Sequence, residues 1–380
     1  MNFNFDEKIN NFLKIIAKNA QAQNKRVFFV GGIVRDNILN VDTFDIDILF
    51  EGNAIEFAKS LNDDIEIKSI HQDFCTVKVI YQNLEIDIAS SRTEKYPYSG
   101  CLPVLDEVGV TIEKDVLRRD FSVNSLYAQI LLKDDELSFE LVDLVGGIDD
   151  IKSKTLRVLH NRSYIDDPTR ILRGVGFKYR FDFDFSKNDI NLIQNYLSNI
   201  DYSNMSIDRV EKVLKKLFEL EQQDDIFNYI AINNLHSIFN SSSVNIDCSL
   251  ISKIISDFNL NLYQKAELYM QILSNPQVIM RYYCDILDSY KGFKKFDLSN
   301  LAYYYYKTLD KNVLEYLKVK DVKLKISGDD LIGRGVEQGK QIGEILDYIL
   351  KEKLNNPNQY LTKNDELKLI QNRFPHLKKI

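Results

Sequence analysis

Two aspartates one residue apart, in the run Phe44-Asp45-Ile46-Asp47-Ile48-Leu49-Phe50, have the most direct claim to chemistry in this chain. Alternate residues of a strand point to one face. Asp45 and Asp47 are therefore expected to project together while Ile46 and Ile48 enter a core. Neighbouring carboxylates raise each other's pKa unless a cation lies between them. Mg²⁺ suits an all-oxygen donor set and completes its shell with substrate phosphates. A two-metal site of this kind activates an attacking hydroxyl and stabilises a departing pyrophosphate. The plainer alternative is an exposed edge strand with two solvated aspartates.

Four further runs gain meaning beside this pair. Gly31-Gly32 follows the apolar run Val27–Val30 and precedes an expected helix, so backbone N–H groups there can approach a phosphate closely. Arg35, three residues on, adds a forked cation. Leu84-Glu85-Ile86-Asp87-Ile88-Ala89 alternates like the first pair, and Asp87 is preferred to Glu85 as a third carboxylate if the two strands are neighbours. Arg118-Arg119-Asp120-Phe121-Ser122-Val123-Asn124 pairs two cations suited to a triphosphate with Asp120 and Asn124. Those two are able to bind a ribose hydroxyl or to cap a helix. In Asp166-Asp167-Pro168-Thr169-Arg170-Ile171-Leu172-Arg173, Pro168 fits a first helical turn, and Asp167, Arg170 and Arg173 recur at threes. An Asp acceptor beside an Arg donor matches the hydrogen-bonding edge of cytosine or adenine and disfavours guanine and uracil. On an isolated helix the same spacing reads as an ordinary ion pair.

The elements that position these residues divide the chain. Up to about Asp150 short β-rich runs (Val27–Val30, Ile46–Phe50, Cys75–Tyr81, Leu84–Ala89, Glu140–Asp143) alternate with expected helices at Ala54–Leu61 and Phe121–Leu131, the pattern of an α+β domain. Beyond Lys152 the spacing turns helical, in Ile171–Tyr179, Ile190–Leu197 and Ile207–Leu220, then in a bundle-like stretch from Leu235 to Lys325. A glycine-bearing unit opens at Ser327 and runs into a helix expected at Gln341–Lys353. At 380 residues the chain is too long for one ordinary core. Its 44% hydrophobic and 28% charged residues are those of a globular protein. No apolar run is long enough for a bilayer, and Met1–Asn10 lacks a signal core, which points to the cytoplasm and to no membrane partner. Cys75, Cys101, Cys248 and Cys284 form no CxxC pair, the pattern of free thiols rather than a zinc site. The net charge of −7 counts against a nucleic-acid partner only on average. Local basic stretches remain at Lys212–Lys216, Lys291–Lys295, Lys318–Lys325 and Lys378–Lys379.

Taken in order, these motifs resemble the class II tRNA nucleotidyltransferase and bacterial poly(A) polymerase family, the CCA-adding enzymes among them. The ordered series is Gly31-Gly32-x-x-Arg35-Asp36, Asp45-x-Asp47, Arg118-Arg119-Asp120-Phe121, Asp143-Leu144-x-Gly146-Gly147, Asp166-Asp167-Pro168-x-Arg170 and Ser206-x-Asp208-Arg209. The strong match covers roughly the first 220 residues, with a weaker one over Ile326–Phe374. The resemblance implies an α+β fold: a small mixed-sheet nucleotidyltransferase head over residues 1–150, then an all-helical neck (151–230), body (231–325) and tRNA-binding tail (326–380). It implies Mg²⁺ on Asp45 and Asp47, with Asp87 as the third acidic residue. Gly31, Gly32 and Arg35 fall at the triphosphate. Arg119, Asp120 and Asn124 fall in the ribose and phosphate motif. Asp167 and Arg170 match the pair that reads CTP and ATP without a template, and Arg173 a further nucleotide contact. Three residues depart from the family pattern: Asp166 where Glu is common, Gly176 where many members carry Arg, and Phe44 where a basic residue often stands.

The expected activity is the addition of C and A to the 3′ end of the tRNA acceptor arm. The segment from Arg92 to Arg118, with an expected flexible loop at Tyr96–Glu107, is full length, which favours CCA-adding or A-adding members over CC-adding ones. None of the histidines precedes an aspartate, so the phosphohydrolase motif of some members is missing. No long basic extension of the poly(A) polymerase kind follows Arg373. The reading from another class is an RNA-binding scaffold that keeps the fold without catalysis. Against it stand the intact Asp45, Asp47, Asp167 and Arg170.

Overall fold

The computed structural model describes residues 1–42, 45–61, 65–199, 206–238, 246–274, 276, 278 and 285–375. Phe44, Cys284 and Lys378–Lys379 lie outside the described residues. The chain forms two compact units, Met1–Ser243 and Val244–Ile380.

The first unit opens with α1 (Glu7–Ala22), capped by the Asp6 carboxylate, which accepts from Ile9 N at 2.8 Å. Then come β1 (Val27–Val30), α2 (Gly32–Leu39), β2 (Asp47–Phe50), α3 (Ala54–Lys59), β3 (Ile65–His71), β4 (Thr76–Tyr81) and β5 (Leu84–Ser90). A hairpin follows, β6 (Arg92–Lys95) and β7 (Val104–Val108), then α4 (Ile112–Asp115), β8 (Tyr127–Lys133), β9 (Glu136–Val142) and α5 (Gly147–Lys152). Seven strands make one sheet in the order β3-β4-β5-β2-β1-β8-β9. Every adjacent pair is antiparallel except β2 and β5, which run parallel. Burial alternates along β4 and β5: Val77, Val79, Ile86 and Ile88 are buried, while Lys78 and Asp87 stand on the other face. The central β1 is buried at all four positions, as a strand covered on both faces must be.

Three expectations need correction. Phe121–Leu131 is not a helix. A single 3₁₀ turn at Ser122–Asn124 leads into β8. Asp134 and Asp135 both take positive φ, 52° and 63°, and this tight turn folds β9 back on β8, so strand pairing overrides the helical spacing. Tyr96–Glu107 is not all loop, because Val104–Val108 pairs with Arg92–Lys95. Asp45 lies two residues before the first residue of β2 rather than on the strand.

Among the described residues the regular structure in the rest of this unit is helical apart from one short parallel pair, β10 (Thr155–Leu156) and β11 (Asp184–Phe185). Its helices are α6 (Ser163–Asp166), α7 (Thr169–Phe181), α8 (Lys187–Ser198), α9 (Ile207–Leu217) and α10 (Gln223–Ile232). Gly174 and Gly176 lie on α7. A Cβ on Gly174 would meet the Phe185 ring at 2.5 Å, and one on Gly176 would meet Leu217 of α9 at 3.1 Å. Position 176 is thus a packing face of α7.

The second unit contains α11 (Cys248–Phe258), α12 (Leu262–Ser274), α13 (Ile286–Phe293), α14 (Leu298–Thr308), α15 (Lys311–Val319), α16 (Gly328–Ile332), α17 (Lys340–Asn355) and α18 (Lys363–Arg373). Asp247, Asp285, Asp297 and Asp310 cap α11, α13, α14 and α15, and Ser327–Asp330 and Thr362–Asp365 form capping boxes on α16 and α18. Buried Glu366 accepts from the backbone N of Lys325 and Ile326 and from Lys353 Nζ at 2.5 Å, which ties α17 and α18 to the start of this last helical layer. Among the described residues no helix is long and apolar enough to cross a membrane. Cys75, Cys101 and Cys248 are free thiols.

Candidate active site

The parallel pairing of β2 with β5 sets Asp47 directly opposite Asp87. Two carboxylates far apart in sequence thereby become neighbours on one face of the sheet, and Glu85 falls one step further from Asp47. Asp45 sits just upstream, exposed. Burial first, then the charges of Asp87 and Asp45, push the Asp47 carboxyl above the usual Asp range. This is a concentration of hard oxygen donors whose mutual repulsion a divalent cation would relieve, so the residues fit such a cation. Among the described residues no group of three such side chains closes on a single point. A cation here would draw the rest of its shell from phosphate and water.

The glycine turn flanks the carboxylates. Gly31 holds φ +68° and ψ −123°, which a side chain would strain, and Gly32 opens α2 with no side-chain cap over the first N–H groups. Gly31, Gly32, Asp47, Asp87, Arg119 and Asn124 line one cleft of about 280 Å³. Arg35 faces elsewhere. Its guanidinium is 4% exposed and donates to Asp36 Oδ1 at 2.8 Å and to Asn124 Oδ1 at 3.0 Å. It also stacks over the rings of Phe177 and Phe181 at 5.0 and 4.5 Å, so it joins α2, Asn124 and α7.

Arg118 and Arg119 are held by a residue the sequence reading missed. Asp115, 0% exposed, pairs with Arg118 Nη2 at 2.8 Å and Arg119 Nη2 at 2.8 Å, and it accepts from Tyr127 Oη at 3.0 Å. Burial alone would raise its pKa; Arg119 and Arg118 overcome that and hold it at about 2. Its spacing three and four residues before the arginines, at the end of a helical turn, was the available signal. Asp120 accepts from Phe121 N at 2.8 Å and Asn124 Nδ2 at 3.3 Å, and lies 3.7 Å from Arg173 Nε. Asp143 of the Asp-Leu-x-Gly-Gly motif caps α5, accepting from four successive N–H groups, Val145 to Ile148, at 2.8–3.1 Å.

A second cleft of about 330 Å³ shares Arg118, Arg119 and Asn124 with the first and continues to Asp167, Arg170 and Arg173. Asp167, 5% exposed, immediately precedes α7's leading Pro168, and its Oδ1 accepts from Thr169 N, Thr169 Oγ1 and Arg209 Nη2 at 2.9 Å. Among the described residues its Oδ2 accepts from Arg173 Nη2 alone, at 3.4 Å, and so has room for another donor. Asp167 and Arg170 make no ion pair with each other. Arg170, 2% exposed, donates to Ser163 Oγ and to Arg118 O at 2.8 Å. The Nε atoms of Arg170 and Arg173 are buried without a hydrogen-bond acceptor in the wall of this cleft. Arg209 also donates to the carbonyls of Gly100 and Cys101 at 3.1 and 3.0 Å, linking α9 to the β6–β7 connection.

The poly A polymerase head domain matches residues 27–157. An A-adding tRNA nucleotidyltransferase of Halalkalibacterium halodurans is 34% identical over 230 residues, 59% of this chain and 52% of that protein. The chain spans about half or less of the length of the curated relatives it matches. The solved apo form II of a CCA-adding enzyme superposes with a TM-score of 0.73 at 26% identity, over 97% of both chains. A CCA-adding enzyme in complex with ATP superposes with a TM-score of 0.68 at 26% identity, over 98% of this chain and 97% of that one.

Proposed function

We propose that the chain is a member of the family of class II tRNA nucleotidyltransferases and bacterial poly(A) polymerases, a reading its head-domain match and its relatives support, and that it adds C and A, from CTP and ATP, to the 3′ end of tRNA without a template. The observation that carries this reading is a continuous pair of clefts with Asp47 and Asp87 at one end and Asp167 at the other, joined through Arg118, Arg119 and Asn124. A nucleoside triphosphate needs that order: reacting phosphate at the carboxylates, ribose in the middle, base in the far pocket.

Each residue then has a task. The N–H groups after Gly31 and Gly32 donate to phosphate oxygens. Arg119 and Arg118, fixed by Asp115, place positive charge beside the triphosphate, while Arg35 keeps Asn124 in place rather than reaching the phosphates itself. Asp120 and Asn124 meet the ribose. Asp167 Oδ2 accepts from the exocyclic amino group of cytosine or adenine, and the guanidinium groups of Arg170 and Arg173, which line the same cleft, donate to the neighbouring ring atoms. Asp45 and Asp47, with Asp87 beside them, would hold Mg²⁺, which supplies the Lewis acidity that makes the tRNA 3′-hydroxyl a better nucleophile.

A narrower reading, A addition only, is favoured by the 34% identity to an A-adding enzyme. Labelled CTP and ATP, offered with tRNA lacking its CCA end and with tRNA ending in CC, separate the cases. Incorporation of both gives the CCA-adding enzyme. ATP alone on the CC end gives the A-adding one, and long A tracts on unrelated RNA give a poly(A) polymerase. RNA binding without incorporation of either nucleotide overturns the catalytic reading in favour of a scaffold.

A further inference from the structure

Lys78 stands in the same cross-strand row as the carboxylates, in register with Asp87 on β5, which is in register with Asp47 on β2. Its Nζ donates to Asp87 Oδ2 at 2.9 Å and lies 4.0 Å from Glu85, while Glu85 is itself paired with Lys68 of β3. The side chain is one-third exposed. The clefts assigned to the nucleotide run from the carboxylates over β1 and the glycine turn and on to Asp167; the first also reaches β4 at Thr76, and Lys78 lines neither of them. In an in-line displacement the attacking oxygen enters opposite the leaving oxygen. With pyrophosphate leaving on the β1 side, the RNA 3′-hydroxyl must enter from the β5–β4 side, and the phosphodiester just behind it then lies over β4.

Lys78 is the cation at that position. We propose that Lys78 binds the terminal phosphodiester of the RNA primer. In the free protein its ammonium rests on Asp87. On primer arrival it shifts to the phosphate, and Asp87 is released toward the reacting centre. A long, flexible stem carrying a compact charge suits such an exchange between two singly charged anions. The inference rests on the nucleotidyl-transfer reading and adds the direction from which the primer enters.

The test compares wild type, Lys78→Met and Lys78→Arg on one tRNA ending in CC, with ATP and Mg²⁺. Lys78→Met is expected to raise KM for the tRNA by about tenfold and leave KM for ATP within about twofold, with most of the loss restored in Lys78→Arg. In equilibrium binding of the same tRNA, the slope of log K against log salt should fall by about one in Lys78→Met, as for loss of one phosphate contact. Unchanged KM for tRNA with an unchanged salt slope would overturn the proposal. So would a loss confined to kcat, because Lys78 would then serve only to hold Asp87. If wild type incorporates no nucleotide, the parent reading fails, and the salt slope still decides whether Lys78 touches RNA.

Discussion

Single side chains in this site do two different jobs, and substitutions separate them. Asp115 touches no cleft in its own right, yet it fixes both Arg118 and Arg119. Its pKa lies at about 2, below an ordinary Asp value, so it stabilises the folded state fully above about pH 4. That contribution is lost as pH falls through about 2. Asp115→Asn should therefore cost about 2 kcal/mol at pH 7, and the gap in unfolding free energy between wild type and variant should narrow as pH falls from about 4 toward 2; a gap independent of pH would refute the pairing as its cause. Asp167, which lines the second cleft, has its proposed role on the ligand side. Replacing it with Asn turns one acceptor oxygen into a donor, so discrimination of CTP and ATP against UTP and GTP should drop by about 10- to 100-fold, the worth of one base-edge contact. Competition kinetics with the four triphosphates check this, and unchanged selectivity would remove Asp167 from base reading. The sequence pointed to Asp167 through its place before Pro168, but it gave no sign that Arg209, 42 residues later in the chain, would share the carboxylate. Nor did it show that Arg35 would be enclosed by Phe177 and Phe181, because both contacts depend on how α7 and α9 pack.

Elements carry the next level of precision. Alternation at Glu85-x-Asp87 was readable from local spacing, since one strand's faces follow from its own residues, whereas Asp45 lies ahead of β2 and outside that rule. That β5 lies beside β2, parallel and in register, is non-local, and only the assembled sheet decides it. The misread helix at Phe121–Leu131 has the same origin: a short apolar run is ambiguous until a partner strand claims it. Helix α7 gives a sharp test of packing. Gly174→Ala places a methyl 2.5 Å from the Phe185 ring and 3.0 Å from that of Phe121. It should destabilise by about 1–3 kcal/mol, as overpacking does. Gly176→Ala meets only the end of Leu217 and gains helix propensity of about 1 kcal/mol, so it should be close to neutral. Thermal melts of both variants check the contrast, and equal melting temperatures would contradict the packing described for α7. The same geometry accounts for the glycine at position 176, since a long cation there would have to displace α9.

At the scale of the molecule, composition spoke least. A net charge of −7 describes the whole surface and says little about a cleft bordered by Arg118, Arg119, Arg170, Arg173 and Arg209. The ordered motifs spoke most, and they cover the head and the first helices after it, where the family match and the identity to relatives also lie. The second unit was legible as helices but not as an arrangement. Its order rests on capping aspartates and on Glu366, whose partners in the chain are up to 41 residues away. The central claim is that the carboxylates on β2 and β5 perform nucleotide addition while the rest of the chain binds. It is tested most directly by single-turnover incorporation of labelled ATP into a tRNA ending in CC, by wild type and Asp47→Asn, with tRNA affinity measured in parallel. Wild type should extend the tRNA by one nucleotide, and the variant should bind it within about twofold yet extend it on the order of a thousandfold more slowly. Extension by Asp47→Asn at the wild-type rate would contradict the account.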